Sequence, residues 1–396
     1  MLNKTIKLAH IAEGFVGGLS TYICEVIPQL AKSGFDVTLI CSLNRSCPDA
    51  SVRIAELSKV GVKVQIISMQ REVNLPKDIS SFISVLRILS NNKFDIVHTH
   101  CSKAGILGRL AAILTGKKIR LHSPHCFAFL RCTSRFKKII YLALEQILGK
   151  ITTKLVAVSS SEAQIAACSH IVPRYKCVVV QNGLLRKKDL PDNFKNNKKI
   201  AYKLSLGLNE NSQVVTTACR LIDYKGIFRF LKAAQLSRVD NVIFLIAGDG
   251  ELKPTIENFI IENNLSKKVK LLGYVRNMKR IYAISDIVIL CSDAEAQSYL
   301  LLEAMFYKCP IVATSVAGNS ELISDNRGVL VKPIPESIAA AVDRLLVDKE
   351  TQNKYAENAY NYFCSHHTLE KQISELIRLY KSCVCKSQKS YAGGTN

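Results

Sequence analysis

One stretch of the sequence, residues 289–318, restricts the fold more than any other. A β-type run, Ile287–Leu290, is followed by a polar turn, a helix-compatible run over residues 300–305 and a second β-type run, Ile311–Thr314. A strand, a loop, a helix and a strand in this order form the unit that builds parallel sheets. The chain is therefore expected to contain a parallel sheet covered by helices.

The same alternation recurs along the chain. In the first half, β-type runs separated by helix-compatible segments occur at Val37–Cys41, Val62–Ile67, Asp95–Thr99, Ile119–Ser123, Leu155–Val158 and Val178–Gln181. This pattern is typical of a doubly wound parallel sheet. A new set of strands begins at Gln213–Ala218, and a chain of 396 residues is too long for one core. Two α/β domains are therefore expected.

Two carboxylates lie within residues 289–318. Glu295 follows the first strand by a few residues, and Glu303 lies on the helix. Ligands of parallel α/β sheets bind beyond the carboxyl ends of the strands, so these carboxylates can accept hydrogen bonds from two hydroxyl clusters of one sugar-bearing ligand. The amides between them are expected to face the helix N-terminus, which favours a phosphate.

This E-x(7)-E motif, with its flanks, resembles the donor-sugar motif of the family 4 retaining glycosyltransferases. The helix continues with A-M, and the second strand lies in C-P-I-V-A-T, followed by A-G-N. The resemblance implies that Glu303 binds the ribose of a nucleotide sugar and that Glu295 binds the transferred sugar. The remaining donor-binding candidates in this loop are Ala296, Gln297, Ser298 and Tyr299.

Three positions of the motif depart from the family pattern. Ala296 stands where members usually carry glycine, and Gln297 stands where they carry an aromatic or apolar residue. Cys309 replaces the glycine that the family favours before the proline. The departures at Ala296 and Gln297, together with one at Cys219, bear on whether the chain is active.

A second motif supplies positive charge for a phosphate. Arg220 and Lys225 lie five residues apart, in a loop between the strand Gln213–Ala218 and a helix that starts near Phe228. A guanidinium fork and an ammonium on one loop match the two negative groups of a diphosphate. The segment resembles the G-R-L…K-G motif of the same family, with Cys219 in place of the usual glycine.

Glycine turns after strands complete the predicted donor site. Gly17 and Gly18 separate the first strand from a helical run and let the backbone approach a ligand closely. They do not form the G-x-G-x-x-G fingerprint, which argues against a nicotinamide enzyme. Gly248 and Gly273 end later strands, in segments that resemble the family's A-G-x-G and L-G-x segments, which line the base pocket.

Histidines lie at two strand ends of the first half. His98 and His100 share a strand face, but the sequence shows no third ligand, so we expect no metal there. The family often has H-x-H at this place, which assigns His100 to an acceptor-side loop. His125 lies in a segment that resembles the family's H-G-F-x-F, which implies a histidine near the reacting carbon. A neutral imidazole there can hydrogen-bond a sugar hydroxyl and help to hold developing positive charge.

The net charge of +22 is concentrated in the first half, where residues 1–190 hold 27 Lys and Arg against 11 Asp and Glu. The densest patch contains Arg131, Arg135, Lys137 and Lys138, and apolar residues recur through it at roughly helical spacing. No nucleic-acid-binding signature accompanies the charge, which favours an anionic membrane surface or an acidic lipid-linked acceptor over nucleic acid. The alternative is a helix that only covers the domain core.

The sequence also predicts where the protein works. Its 14 cysteines are scattered without any C-x-x-C, which indicates reduced thiols in a cytoplasmic protein. No apolar run reaches the roughly 18 to 20 residues of a membrane span, and the first residues have no signal-peptide pattern. We therefore expect a cytoplasmic protein held peripherally on the inner face of the cell membrane.

The matching motifs run in the family's order from Gly17 to about Ala317. The resemblance therefore implies the GT-B fold, in which two Rossmann-like α/β domains face each other across a cleft. The expected parts are an acceptor-side N-terminal domain over residues 1–184, a linker over 185–199, a nucleotide-sugar-binding C-terminal domain over 200–360, a helix over 361–384 that packs back toward the N-terminal domain and a disordered tail over 385–396.

The activity that the resemblance implies is retaining sugar transfer. The donor is a nucleotide-diphosphate sugar, expected to be a UDP-sugar, and the acceptor is a hydroxyl of a lipid-linked glycan in cell-surface polysaccharide synthesis. No D-x-D motif accompanies the sites, so Arg220 and Lys225 are expected to stabilise the leaving diphosphate without a metal. A nucleotide-sugar epimerase of the same fold and a non-catalytic sugar-nucleotide-binding scaffold remain open as alternatives.

Overall fold

The computed structural model describes residues 5–185 and 196–392, which form two compact units. Unit 1 combines the chain up to Gly183 with the segment that begins at Leu369. Unit 2 comprises Leu184–Thr368. Each unit is a parallel sheet covered by helices, so the expected α/β class is confirmed.

Unit 1 is built on a seven-stranded parallel sheet with the order β3-β2-β1-β4-β5-β6-β7. Its strands are β1 (Lys7–Ala12), β2 (Asp36–Cys41), β3 (Lys63–Ile66), β4 (Ile96–His100), β5 (Ile119–Ser123), β6 (Lys154–Ala157) and β7 (Cys177–Val179). Its helices are α1 (Gly17–Lys32), α2 (Ala50–Lys59), α3 (Leu75–Asn91), α4 (Ser102–Leu114), α5 (Arg135–Ile151) and α6 (Ser160–Cys168), with the last helix of the chain, α15 (Leu369–Ala392).

Unit 2 is built on a six-stranded parallel sheet with the order β10-β9-β8-β11-β12-β13. Its strands are β8 (Gln213–Ala218), β9 (Val242–Ala247), β10 (Val269–Gly273), β11 (Ile287–Leu290), β12 (Ile311–Thr314) and β13 (Val329–Val331). Its helices are α7 (Asn196–Ser205), α8 (Ile227–Leu236), α9 (Lys253–Glu262), α10 (Lys279–Ile284), α11 (Tyr299–Phe306), α12 (Ala317–Ile323), α13 (Pro335–Val347) and α14 (Lys349–His366).

The strand sequences explain why both sheets are parallel and covered on both faces. The central strands β4, β11 and β12 are buried at every position, and in β11 and β12 the apolar and β-branched residues form a run that does not alternate with charged ones. Such continuous runs are typical of strands with helices packed on both faces. Several helices begin at a side-chain cap, as α6 does where the Ser159 hydroxyl accepts from the Glu162 amide at 3.1 Å.

The order of strands reverses between β1 and β4 in unit 1 and between β8 and β11 in unit 2. In open parallel sheets, the loops that follow such a pair run to opposite faces and leave a crevice where ligands bind. The loop after β1 leads into α1, which begins with the first glycine pair, and β4 carries His98 and His100. The loops after β8 and β11 hold Lys225 and Glu295.

The end of the chain differs from the expectation of a tail that is disordered from residue 385. Helix α15 continues to Ala392, because its sequence has no helix breaker before Gly393. The predicted second domain is also too short at its end, since α14 belongs to unit 2 and α15 begins only at Leu369.

The linker expected over residues 185–199 is too long at its C-terminal end. Helix α7 already begins at Asn196, and Tyr202 of this helix packs against a small apolar cluster around Leu208. Residues 186–195 lie outside the described part of the chain.

Across residues 5–185 and 196–392, no helix is long and apolar enough to cross a membrane. All 14 cysteines of the chain lie within these residues, and each is a free thiol.

Gly149, in the last turn of α5, offers a test of the packing in unit 1. An added Cβ at Gly149 would lie 1.8 Å from the Ile171 carbonyl oxygen, so backbone must move. We expect Gly149→Ala to lower the free energy of unfolding by roughly 2 kcal/mol or more. Gly116→Ala is the matched control, because Gly116 has a positive φ of 67° but an open Cβ position, and it should cost about 1 kcal/mol. Denaturation followed by circular dichroism measures both, and equal stabilities would contradict the packing.

Candidate active site

Two loops of unit 2 are joined where its strand order reverses. One follows β8 and contains the short 3-10 turn Asp223–Lys225, and the other connects β11 to α11. The Asp293 amide donates to the Tyr224 carbonyl at 2.8 Å. Arg229 on α8 donates to the Cys291 carbonyl at 2.9 Å and pairs with the Asp293 carboxylate at 2.6 Å. These bonds fix the two loops so that groups from both can contact one ligand.

An ion pair between Lys225 and Glu295 bridges the same loops, with 2.6 Å between Nζ and Oε1. The Ser292 hydroxyl donates to the same carboxylate oxygen at 2.7 Å. The two charged side chains are only 18% and 10% exposed. Burial disfavours the ammonium, but attraction to Glu295 outweighs it, and the net effect raises the pKa of Lys225 above its usual value. Lys225 is thus a fixed cation at neutral pH.

Arg220 lies at the start of the same loop, five residues before Lys225, and is half-buried. A guanidinium and a fixed ammonium on one loop supply separated positive charges for a diphosphate. The predicted phosphate-binding pair therefore lies at the carboxyl end of β8, beside the strand reversal.

Glu303 lies on α11, and its Oε2 accepts a hydrogen bond from the Tyr282 hydroxyl at 2.5 Å. Burial, together with the nearby Glu303 charge, raises the pKa of Tyr282 well above its usual value. Tyr282 therefore remains a donor and fixes one oxygen of the carboxylate on the helix. Sequence reasoning did not identify Tyr282, because it lies on α10 and carries no motif of its own.

The loop before α11 is held closely by the start of α12. The Gly318 amide donates to the Glu295 carbonyl at 3.2 Å, and a Cβ at Gly318 would lie 2.2 Å from the Ala296 carbonyl oxygen. Gln297, Ser298 and the following Tyr299 are buried in this loop and in the first turn of the helix. The Ser298 side chain, at the N-cap position of α11, makes no capping hydrogen bond.

Two predicted donor-site glycines lie side by side at neighbouring strand ends. The Gly248 amide donates to the Gly273 carbonyl at 2.7 Å. Gly248 has a φ of 148°, and a Cβ there would lie 1.9 Å from the Cys219 carbonyl oxygen. Only glycine fits this close approach between the β8 and β9 loops.

The departures at Cys219 and Ala296 introduce no backbone strain. Neither residue is among the non-glycine residues with positive φ in the described structure, so their Cβ atoms fit the local conformation. Cys219 is a thiol whose pKa burial raises to about 11, which keeps it uncharged. The replaced glycines are therefore not required by the fold at these positions.

Unit 1 contains a histidine cluster larger than the sequence motif indicated. His10 on β1 lies directly opposite His98 on β4, and its ring joins His98 and His100 on one face of the sheet. Ligand nitrogens of the three rings lie within 4.8 Å of one another. His10 was missed because it stands alone in its own strand, and only the β1–β4 register brings it to the pair.

Hydrogen bonds use five of the six ring nitrogens in this cluster. His10 Nδ1 contacts His100 Nε2 at 2.8 Å, and His100 Nδ1 contacts His125 Nε2 at 3.0 Å. The nitrogens of His98 contact the Tyr380 hydroxyl at 2.8 Å and the Ser123 hydroxyl at 3.0 Å. A metal ion could enter only by displacing these bonds, so the cluster is arranged as a hydrogen-bonded network.

His125 lies on a tightly constrained turn after β5. His125 and Cys126 both have left-handed backbone, with φ of 50° and 74°. Glu162 on α6 holds this turn, because its carboxylate accepts from the Cys126 amide at 2.7 Å and from the Val158 amide at 2.9 Å. Glu162 was not singled out in the sequence, where it appears only as the acidic residue of a helix start.

The first glycine pair begins α1 directly. Gly17 has a φ of 57° and is the first helical residue, and Gly18 follows in the exposed first turn. The N-cap residue, Val16, provides no side-chain hydrogen bond. The glycines thus stand where first-turn amides can meet an anion.

The predicted basic amphipathic helix is α5, and it exposes apolar as well as charged side chains. Arg135, Lys137 and Lys138 are exposed. The exposed apolar residues of the same helix include Phe136 at 72%, Ile139 at 66% and Ile147 at 61%. Arg131 differs from the others, because it precedes the helix, is half-buried and acts electrostatically on Glu162.

The acidic residue of α5, Glu145, does not lie on the exposed surface of this basic helix. Glu145 is buried and pairs with the fully buried Arg109 of α4 at 2.8 Å. This pair ties α5 to α4 and neutralises the carboxylate internally. The exposed charge of α5 is therefore basic.

The buried histidines of unit 1 should make the protein sensitive to mild acid. Burial lowers the pKa of His10 to about 3 and that of His125 to about 4, and it lowers the pKa values of His98, His100 and His122 well below the usual 6.5. Below pH 6.5 the unfolded chain takes up protons that the folded chain cannot, so each histidine costs about 1.4 kcal/mol of stability per pH unit.

The carboxyl group of Glu162 has the opposite effect on the pH dependence of stability. Burial raises the pKa of Glu162 to about 7, so its contribution favours the folded state at low pH and offsets about one of the five histidines. We expect the melting temperature to fall steeply between pH 6.5 and 5.5, as measured by circular dichroism. A constant melting temperature over this range would contradict neutral burial of the cluster.

The chain matches two family models that cover most of both units. Residues 16–184 match the model of Glycosyltransferase Family 4, and residues 198–362 match that of Glycosyl transferases group 1. The chain is 30% identical over 388 residues to the UDP-Gal:alpha-D-GlcNAc-diphosphoundecaprenol alpha-1,3-galactosyltransferase of Escherichia coli, covering 96% of this chain and 97% of that protein. It is 24% identical over 374 residues to the capsular polysaccharide biosynthesis glycosyltransferase CapM of Staphylococcus aureus. This match covers 91% of this chain and 94% of that protein.

A solved structure with the same fold is Alr3699/HepE of Anabaena in complex with UDP and glucose. It aligns with a TM-score of 0.79 at 16% identity, covering 95% of this chain and 100% of that chain. The two parallel α/β units described above are thus the Rossmann-like domains of the GT-B fold. Together with the matches over both units, this shows that the chain belongs to the family 4 glycosyltransferases.

Proposed function

We propose that this glycosyltransferase moves a sugar from a UDP-sugar to a hydroxyl of a lipid-linked glycan during synthesis of a cell-surface polysaccharide. The observation that carries the proposal is the Lys225–Glu295 pair, which holds a fixed cation and a carboxylate together at the strand reversal of unit 2. The Escherichia coli relative uses UDP-galactose and a diphosphoundecaprenol-linked GlcNAc, which supports the same substrate classes here.

The donor is bound through charges and hydrogen bonds of unit 2. Arg220 and Lys225 contact the diphosphate, together with the first-turn amides of α11. Glu303 accepts from the ribose hydroxyls, with its carboxylate oriented by the hydrogen bond from Tyr282. Gly248 and Gly273 line the base pocket, where their small size lets the backbone approach the ring.

The chemical step builds negative charge on the departing diphosphate. Lys225 meets this charge with an ammonium that its surroundings keep protonated, and Arg220 adds a guanidinium, so this charge stabilisation does not depend on a metal. Glu295 binds hydroxyls of the transferred sugar and holds Lys225 in place before the donor arrives.

The acceptor attacks from the side on which the diphosphate leaves, so that configuration at the anomeric carbon is retained. The leaving phosphate takes the proton of the acceptor hydroxyl. His125 is neutral, because burial lowers its pKa to about 4, and a neutral imidazole can hydrogen-bond a sugar hydroxyl.

Helix α5 brings the enzyme to its lipid-linked acceptor. It presents exposed Phe136 and Ile139 beside Arg135, Lys137 and Lys138. Apolar side chains that enter the lipid surface and basic side chains that meet anionic headgroups are the features of a helix that lies on a membrane. The protein is therefore proposed to work as a peripheral protein on an anionic membrane face.

Substitution of Lys225 tests the donor site. We expect Lys225→Ala to lower turnover at least tenfold, because it removes the buried cation that stabilises the leaving diphosphate. UDP release from UDP-galactose, with a GlcNAc-diphosphate lipid as acceptor, measures turnover, and circular dichroism checks the fold.

Lys232→Ala is the matched control for this substitution. Lys232 is exposed on α8, so its removal changes the net charge equally without touching the site. Turnover of the Lys232 variant should equal that of the unmodified protein. Normal turnover in a folded Lys225→Ala variant would rule out the proposed role.

A second substitution set tests the membrane contact. Replacing Arg135, Lys137 and Lys138 by serine should weaken binding to vesicles with anionic lipids by about a hundredfold, at about 1 kcal/mol per basic residue. Cosedimentation with vesicles measures this. The control replaces three exposed lysines of unit 2, Lys267, Lys332 and Lys354, and should leave binding nearly unchanged. Equal binding by both triple variants would exclude α5 as the contact.

A further inference from the structure

Three histidines of unit 1 form a continuous chain of hydrogen bonds that ends at His125. His10 Nδ1 lies 2.8 Å from His100 Nε2, and His100 Nδ1 lies 3.0 Å from His125 Nε2. The rings of His100 and His125 are stacked, with centroids 5.2 Å apart. The ring of Tyr22 packs against both histidine rings and restricts their planes. Its centroid lies 5.0 Å from that of His100 and 5.1 Å from that of His125.

All three imidazoles are neutral near pH 7. His10 and His100 are fully buried, and no counter-charge contacts them in the chain of bonds. Burial lowers the pKa of all three histidines below 6.5, to about 3 for His10 and about 4 for His125. A neutral imidazole has one N–H donor and one bare acceptor nitrogen.

This chemistry couples the two bonds. Because His100 uses both nitrogens, it must donate in one bond and accept in the other. In the first arrangement, His10 Nδ1–H donates to His100, and His100 Nδ1–H donates to His125 Nε2. In the second, both donors are reversed, and His125 donates from Nε2. The proton position on His10 therefore determines that on His125.

The nitrogen at the His10 end of the hydrogen-bond chain favours the first arrangement. His10 Nε2 is buried and has no hydrogen-bond partner. In the reversed arrangement this atom would carry a hydrogen, which would leave a buried N–H donor unsatisfied. Orphaned N–H groups are rarer in proteins than under-satisfied acceptors, and the first arrangement leaves only a bare nitrogen there.

We infer that His10 and His100 are positioning residues that fix the tautomer of His125, so that His125 carries its proton on Nδ1. His125 then offers Nδ1–H as a hydrogen-bond donor to a substrate oxygen, while its Nε2 is occupied by His100. This inference rests on the proposed function for the identity of that substrate oxygen, a sugar hydroxyl. The tautomer itself is a property of the protein without substrate.

The strained turn at His125 also helps to order this donor. Left-handed backbone at His125 and Cys126, held by Glu162, fixes the ring from the main-chain side. The hydrogen bond with His100 fixes the same ring at its Nε2 atom. A donor with a set position and a set proton fixes the direction of the hydrogen bond, so that the bound hydroxyl accepts from Nδ1–H and directs its own proton elsewhere.

The test measures the tautomer directly by nuclear magnetic resonance on full-length protein labelled with nitrogen-15 in its histidine rings. Two-bond couplings identify which nitrogen carries the proton, and loss of signals in a His125→Asn variant assigns them. We expect His125 to be protonated at Nδ1 in the unmodified protein. Protonation at Nε2 would overturn the inference.

Two substitutions of His10 then separate positioning from packing. The amide of His10→Asn can occupy the place of Nδ1 and still donate to His100, so the His125 tautomer should be kept. His10→Leu fills the buried space without a donor, so His125 should become a mixture of tautomers. An unchanged tautomer in His10→Leu would overturn the role of His10. If the leucine variant does not fold, the unmodified protein and His10→Asn still decide the tautomer.

Kinetics provide the functional measurement. His10→Leu should lower kcat about tenfold, while the KM for UDP-galactose changes less than twofold, because the donor charges in unit 2 are intact. His10→Asn should recover most of kcat. Unchanged kcat in a folded His10→Leu variant would contradict the positioning role. If UDP-galactose is not a donor, the resonance measurement still tests the inference, so its failure is distinguishable from failure of the proposed function.

Discussion

The ion pair between Lys225 and Glu295 is the interaction on which the proposed donor site depends. Parallel strands deliver their following loops to one edge of the sheet, but at the strand reversal between β8 and β11 these loops lead to helices on opposite faces. The pair, with the Asp293–Tyr224 and Arg229–Cys291 bonds, joins the loops again at that edge. A buried pair of this kind costs desolvation and is weak support for stability, which is consistent with a site retained for binding.

The two units stabilise their buried polar groups in different ways. Unit 2 keeps full charges and pairs them, so that a fixed ammonium is available for an anion. Unit 1 keeps its histidines neutral and links them in series, so that proton positions are ordered without charge. The first arrangement suits a group that must meet a developing negative charge, and the second suits a group that must hold a hydroxyl in a set direction.

The sequence predicted the local elements and the separate motifs well, because both depend on short-range patterns. The strand at Ile119–Ser123 was predicted with the bounds of the structure, whereas Gly17 and Gly18, which were expected to separate the first strand from a helical run, are the first residues of α1. The strand reversal places Lys225 and Glu295 together, as the fold class requires. The contacts set by strand register could not be predicted. His10 reaches His98 only through the pairing of β1 with β4, and Tyr282 reaches Glu303 from another helix. The predicted tail over residues 385–396 overlaps helix α15, which continues to Ala392 because no helix breaker precedes Gly393.

Calorimetric titration of the protein with UDP-galactose in the presence of a chelator tests the central claim most directly. The account predicts saturable binding of one nucleotide sugar per chain with the chelator present. It also predicts that Lys225→Ala weakens this binding, because the diphosphate loses its buried cation. Absence of binding by UDP-galactose and by UDP itself, in protein whose fold is intact, would contradict the assignment of the donor site to the strand reversal of unit 2.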